Sequence, residues 1–147
     1  MNRYIDFSQM PKMFGTCNVT NCPLTETCLR HLAHDEVSSK EPFIDVINPK
    51  WQAKQKGTCR FYLKNEPVTR ARGFKRLLEV IPAGKVRSFR ITLLSKMGYR
   101  RYYQARKGEI LLTEAEEKMI IKQAKRFGVV MDDYFDKHEE VLMWHHE

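Results

Sequence analysis

The four cysteines are the residues whose type and spacing point most directly to chemistry. Cys17, Cys22 and Cys28 are separated by four and five residues, and Cys59 follows further along the chain. Four thiolates suffice for a closed tetrahedral zinc site. Such a site is structural, because a catalytic zinc keeps one coordination position open for water. We therefore predict that these four cysteines bind a structural zinc ion.

Three other interpretations of the cysteines remain open at this stage. The spacing departs from the closely spaced cysteine pairs of common zinc modules, and four thiolates also suit an iron–sulfur cluster. His31 lies three residues after Cys28, so a site of three cysteines and one histidine would leave Cys59 free. The thiols could also be buried without metal, because free cysteine often packs as a small apolar residue. Zinc is favoured, because a metal explains how an irregular segment with little apolar core can fold.

A strongly basic central segment is the second feature. The chain has 26 Lys and Arg against 18 Asp and Glu, a net charge of +8. Residues 41–110 hold 17 basic and five acidic residues, whereas residues 111–147 hold five basic and nine acidic residues. Like charge on one surface repels itself, and a polyanion would relieve that repulsion. We predict a nucleic acid, DNA or RNA, bound in a regulatory role. An acidic protein or ribonucleoprotein, bound by a metal-stabilised adaptor, is the alternative, and a solvated helical surface is the plainest explanation.

The candidate nucleic-acid contacts lie on predicted helices, opposite or beside their apolar positions. Arg and Lys neutralise phosphates, and Gln hydrogen-bonds phosphates or base edges. The spacing of residues 91–109 also resembles that of a helix-turn-helix, with Gly98 as the turn. The tyrosines among them, Tyr99, Tyr102 and Tyr103, fit core positions better than base-stacking positions. The predicted contact residues are Arg72, Lys75, Arg76, Arg87, Arg90, Arg100, Arg101, Gln104 and Lys107.

The elements that must position these residues change character near residue 66. Residues 1–66 are irregular, with a helix over residues 28–33 and a short β-hairpin formed by residues 43–47 and 58–63. From residue 69 a period of 3.6 predicts four helices, the last opened by a capping box from Thr113 to Glu116. The acidic segment 132–147 forms a final helix or folds over the basic face. The predicted class is α+β, mainly α, with a cysteine-rich segment (1–66) packed on a basic helical domain (67–147) that ends in an acidic tail.

Several function classes are excluded by what the sequence lacks. The longest run without charge, residues 13–25, has 13 residues and is largely polar, whereas a membrane-spanning helix needs about 20 apolar residues. The first residues have no apolar stretch of a secretory signal, so we expect a cytoplasmic protein with reduced thiols. No nucleophile elbow, phosphate-binding loop, metalloprotease motif or dinucleotide fingerprint is present. We expect neither enzymatic activity nor a small-molecule substrate.

Several short elements resemble a small uncharacterised family of basic, four-cysteine proteins from anaerobic gut bacteria. They are Cys22-Pro23, residues 28–33, Asn48-Pro49, Gly57-Thr58-Cys59, residues 101–103 and residues 112–116. The resemblance covers most of the chain and implies that its two halves belong together. The family has no assigned activity, so the resemblance implies no function and no catalytic residues.

Overall fold

A computed structural model describes residues 5–147, which form two compact units. The N-terminal unit comprises the described residues up to Pro67, together with Leu142–His146. The C-terminal unit comprises Val68–Val141 and Glu147. The sequence placed the boundary after residue 66 and assigned residues 142–146 to the second domain, whereas in the structure they belong to the first unit.

The N-terminal unit is built mostly from turns around two α-helices. Its regular elements are 3-10 helices at Phe7–Gln9 and Thr25–Thr27, helix α1 (Leu29–Ser38) and helix α2 (Pro49–Gln52). The side chain of Asn48 accepts hydrogen bonds from two backbone N–H groups and caps α2, and Pro49 occupies its first turn. The buried apolar residues of this unit are Phe14, Leu29, Ala33, Leu63 and Trp144. This core is small, so the turns that carry the cysteines depend on contacts other than apolar packing.

The C-terminal unit combines four helices with a two-stranded sheet. Strand β1 (Val68–Arg72) pairs antiparallel with β2 (Lys137–Val141), so that Val68 lies opposite Val141. Between them lie α3 (Lys75–Val80), α4 (Ala83–Met97), α5 (Tyr99–Lys107) and α6 (Glu114–Arg126). The core of this unit consists of Ala71, Phe74, Leu77, Ile81, Phe89, Leu93, Tyr102, Ala105, Leu112, Ile120, Ala124, Val129, Tyr134 and Phe135. No helix in the described part of the chain is both long and apolar enough to cross a membrane.

Local sequence signals define the ends of helices α4 to α6. Gly98 and Gly108 both have φ of +79° and end α4 and α5, a conformation that glycine adopts at no steric cost. The hydroxyl of Thr113 accepts from the Glu116 N–H, and the Glu116 carboxylate accepts from the Thr113 N–H. This reciprocal capping box opens α6 as predicted. Gly98 alone joins α4 to α5, a shorter connection than the three- or four-residue turn of a helix-turn-helix.

The predicted class, α+β and mainly α, is confirmed, but the strands lie elsewhere than expected. Residues 43–47 and 58–63 form no hairpin; they contribute single bridges at most, such as Thr16 with Val46. Residues 69–72, expected at the start of a helix, form β1 instead, because a distant segment pairs with them. Residues 132–147 form β2 and turns rather than a final helix.

Candidate functional site

All four cysteines line one cavity of the N-terminal unit. The cavity wall also includes His31, Arg30, Gln52 and Phe61 among others. Burial raises the pKa of the Cys17 thiol, and the three neighbouring thiols raise it further by charge repulsion, whereas a hydrogen bond from the Val19 backbone opposes the shift. The structure therefore brings together the four residues that the sequence singled out.

Cys17 and Cys22 are held by tight turns in which the sulfur accepts a backbone hydrogen bond. The N–H of Val19 donates to Cys17, and the N–H of Leu24 donates to the Cys22 Sγ over 3.4 Å. In both turns the donor lies two residues after the cysteine. Hydrogen bonds to sulfur favour the thiolate, which is the form that binds metals.

Cys28 and Cys59 line the cavity close to a short backbone connection between residues 28–29 and 63–64. Cys28 precedes α1 as its N-cap residue and forms an isolated bridge with Lys64. The adjacent Leu29 N–H donates to the Leu63 carbonyl over 2.7 Å. Cys59 starts the turn leading into this region, and its Sγ accepts a hydrogen bond of 3.2 Å from the Gln52 side chain. Hydrogen bonds therefore reach three of the four sulfurs.

Arg30 ties together the two loops that carry Cys17 and Cys59. Its Nη1 donates to the Gly15 carbonyl over 2.6 Å, and its Nε donates to the Phe61 carbonyl over 2.9 Å. Burial lowers the pKa of Arg30, and the nearby thiols oppose that shift. A cation beside a thiolate cluster lowers the electrostatic cost of ionising the sulfurs.

The two histidines of α1 differ in their surroundings. His34 lies 3.2 Å from the Thr16 hydroxyl through its Nδ1. His31 lines the cysteine cavity, and its Nδ1 is buried without a hydrogen-bond partner among the described residues. An orphaned imidazole nitrogen beside four thiols fits the donor set of a zinc site, in which His and Cys both ligate.

The metal-binding side chains in the described part of the chain are not arranged around a common centre. Among residues 5–147, no three Cys, His, Asp or Glu side chains are arranged to hold a metal ion. A tetrahedral site requires each sulfur to lie about 2.3 Å from a common centre. Zinc binding would therefore require the cysteine side chains to move closer together inside the cavity they share.

The predicted nucleic-acid contacts fall into two groups, and the first is neutralised within the C-terminal unit. Arg72 pairs with Glu139 at 3.1 Å, and Arg76 lies 3.7 Å from Asp136. These carboxylates belong to the acidic segment 132–147. Arg101 forms a bidentate pair with Glu116, with contacts of 2.7 and 2.9 Å. These three arginines therefore already have carboxylate partners.

The second group consists of exposed cations with little or no compensation. Helices α4 and α5 contain eight Lys and Arg residues and no acid. Within the described residues, no carboxylate lies within 4.0 Å of the charged groups of Arg87, Arg90 or Arg100, and the same holds for Lys75 on α3. Lys107 approaches Glu109 only to 3.8 Å, and Gln104 is half-buried. We name α4 and α5 together the basic helix pair.

The tyrosines of α5 take different roles. Tyr102 is fully buried in the core, as predicted, and burial raises its pKa. Tyr99 is 74% exposed, which contradicts the expectation that it packs in the core. Tyr103 is half-buried between them and contacts both rings.

Sequence reasoning did not single out Arg30 and Gln52, which contact the cysteine-bearing loops. Neither residue belongs to a ligand motif, and each reaches the site only through the fold.

These features define a mainly helical α+β protein with a four-cysteine cavity in one unit and an acid-free basic helix pair in the other. Residues 1–144 match the family of unknown function DUF6078, and the chain belongs to that family. This agrees with the resemblance to an uncharacterised family. No curated protein and no solved structure matches the chain.

Proposed function

We propose that this protein binds nucleic acid through the basic helix pair. The observation that carries the proposal is the selective neutralisation of charge in the C-terminal unit. The acidic segment compensates Arg70, Arg72 and Arg76 on β1 and α3, whereas Arg87, Arg90 and Arg100 on α4 and α5 have no carboxylate partner among the described residues.

Uncompensated charge on packed helices raises the free energy of the folded protein through self-repulsion. A phosphate backbone offers regularly spaced negative charge, and its binding releases condensed counterions into solution. A bound polyanion would therefore stabilise the protein most at the surface whose cations have no carboxylate partners.

The test is a charge reversal confined to the basic helix pair. The variant Arg87→Glu/Arg90→Glu/Arg100→Glu changes three exposed side chains that no described carboxylate contacts. The matched control, Lys50→Glu/Lys54→Glu/Lys56→Glu, changes net charge by the same amount in the N-terminal unit. Binding of a fluorescent oligonucleotide is measured by anisotropy between about 50 and 200 mM salt, the range over which phosphate contacts strongly affect affinity.

We expect the wild-type protein and the control to bind with similar salt dependence. The helix-pair variant should bind at least 100-fold more weakly, with a flatter salt dependence, because each lost phosphate contact lowers the slope by about 0.7 to 0.9. Equal loss in both triple variants would contradict a localised site. Absence of oligonucleotide binding by the wild type would favour an acidic protein partner instead.

We also propose that the four cysteines hold a structural zinc ion that stabilises the N-terminal unit. Supporting this are the shared cavity and the hydrogen bonds to three of the four sulfurs. When bound, zinc would cross-link loops that the small apolar core leaves weakly connected. The reducing cytoplasm would keep the thiols available for the metal.

A further inference from the structure

A row of contacting aromatic and cationic groups runs along one side of helix α5. The rings of Tyr99 and Tyr103 have centroids 4.7 Å apart, at an interplanar angle of 54°. The guanidinium of Arg106 lies over the Tyr103 ring at 4.8 Å from its centroid, within the range of a cation–π contact. These three residues lie at positions i, i+4 and i+7 and therefore share one helix face. We name them the stacking row.

The stacking row is fixed at its inner edge and open at its outer end. Tyr103 meets the buried Tyr102 edge-on, with centroids 5.0 Å apart and an angle of 86°. Tyr102 in turn packs edge-on against the buried Phe74. Tyr99, by contrast, is 74% exposed, although its ring is held against Tyr103. The outer end is therefore a preorganised aromatic surface that faces solvent.

The helix that carries this exposed ring also carries several exposed cations. Arg100 follows Tyr99 directly and is exposed, and no described carboxylate pairs with it. Arg90 of α4 lies close enough to the Tyr102 hydroxyl to lower its pKa, as does Arg106, although burial raises that pKa overall. Lys107 is exposed one turn beyond Tyr103. Positive charge beside an exposed aromatic ring matches a partner that has both phosphates and flat rings.

We propose that the basic helix pair binds single-stranded nucleic acid, with an unpaired base stacked on Tyr99 at the end of the stacking row. Phosphates on either side of that base contact Arg90, Arg100 and Lys107. The proposal rests on the proposed function and specifies its ligand. Base-paired duplexes bind less well, because their base faces already stack on one another and are not available to Tyr99.

The experiment uses the whole 147-residue chain and three single-stranded probes of equal phosphate number, each of about ten nucleotides: an RNA, its DNA equivalent and an abasic DNA. A duplex of the DNA sequence is the fourth probe. Tyr99→Ala removes the exposed ring, and Tyr99→Phe keeps a ring that can stack. Phe43→Ala is the matched control, because Phe43 is an exposed aromatic residue, 92% accessible, in the N-terminal unit and outside the basic helix pair.

We expect Tyr99→Ala to weaken binding to the single strands by about 5- to 100-fold, the range seen when one stacking aromatic is removed, with an unchanged salt slope. Tyr99→Phe and Phe43→Ala should bind as the wild type does. On the abasic strand, and likewise on the duplex, Tyr99→Ala should bind with the same affinity as the wild type. The ratio of RNA to DNA affinity shows which single strand is preferred, and either preference agrees with the proposal.

Single-strand binding by Tyr99→Ala that equals wild-type binding would overturn the stacking proposal, as would an equal loss on the duplex and the abasic strand. Both results would leave nucleic-acid binding intact, because the charge-reversal variant tests that function separately. If neither strand form binds to the wild type, the proposed function itself is wrong.

Discussion

Substitution of Gly73 by alanine tests how the acidic segment is attached to the C-terminal unit. Gly73 lies between β1 and α3 with φ of +77°, and a Cβ added there would lie 2.5 Å from the Asp136 Oδ2. That carboxylate accepts hydrogen bonds from the backbone N–H groups of Lys75 and Arg76, at 2.8 and 3.1 Å. The alanine methyl and the carboxylate cannot both keep their positions.

The expected loss has two parts. Alanine in the left-handed conformation costs about 1–2 kcal/mol. Displacing Asp136 from its two backbone donors costs a further 1.5–3 kcal/mol, about the value of hydrogen bonds to a charged group. We therefore expect Gly73→Ala to lower the free energy of unfolding by about 2.5–5 kcal/mol.

Gly128→Ala is the matched control. Gly128 also has a positive φ, +85°, but a Cβ there would meet no atom within 4 Å, so only the conformational cost of about 1–2 kcal/mol applies. Denaturant unfolding followed by circular dichroism at 222 nm measures both variants, since α4, α5 and α6 contribute most of the helical residues. Equal destabilisation by the two substitutions would refute the assigned role of Asp136.

Three further predictions concern the ion pair between Arg101 of α5 and Glu116 of α6, and the cysteine cavity. Burial disfavours ionisation of Glu116, yet hydrogen bonds from Arg101 and Thr113 hold its pKa below the ordinary value of 4.5. Glu116→Gln should therefore lower the free energy of unfolding by about 1–3 kcal/mol above pH 4.5. The difference from the wild type should shrink as the pH falls through the folded-state pKa of Glu116. A difference that does not depend on pH would contradict this role of the ionised carboxylate. Elemental analysis should find about one zinc per chain, lost in Cys28→Ser. Both tryptophans belong to the N-terminal unit, so their fluorescence reports the unfolding of that unit. Removal of the metal by a chelator should therefore change the tryptophan fluorescence. An unchanged spectrum would contradict a structural role for the zinc. Arg30→Met should weaken zinc binding about 10- to 100-fold, because it frees the loops of Cys17 and Cys59; unchanged affinity would show that the loops need no such link.

The helices were predictable where their signals are local. Gly98, Gly108 and the capping box from Thr113 to Glu116 act within one turn of the chain, and they mark the observed ends of α4, α5 and α6. Strand β1 was missed because its partner β2 lies about 70 residues away, and only that pairing makes residues 68–72 extended.

The types of the site residues allowed the cysteines to be predicted, but the contacts that surround the site could not be predicted from the sequence. Cysteine chemistry alone suggested that the four thiols gather, and they line one cavity. The hydrogen bonds from Arg30 to the Gly15 and Phe61 carbonyls depend on two loops that meet only in the folded chain. The compensation of Arg72 by Glu139 likewise depends on the pairing of β1 with β2, so sequence alone counted Arg72 as a free cation.

Ultraviolet cross-linking of the wild-type protein to a single-stranded oligonucleotide, followed by mass spectrometry of the digested adduct, would locate the bound strand on the protein. We expect cross-linked peptides within residues 83–107, with Tyr99 as the main attachment site, and competition by unlabelled oligonucleotide. Cross-links confined to residues 50–64 or to the acidic segment would contradict binding by the basic helix pair.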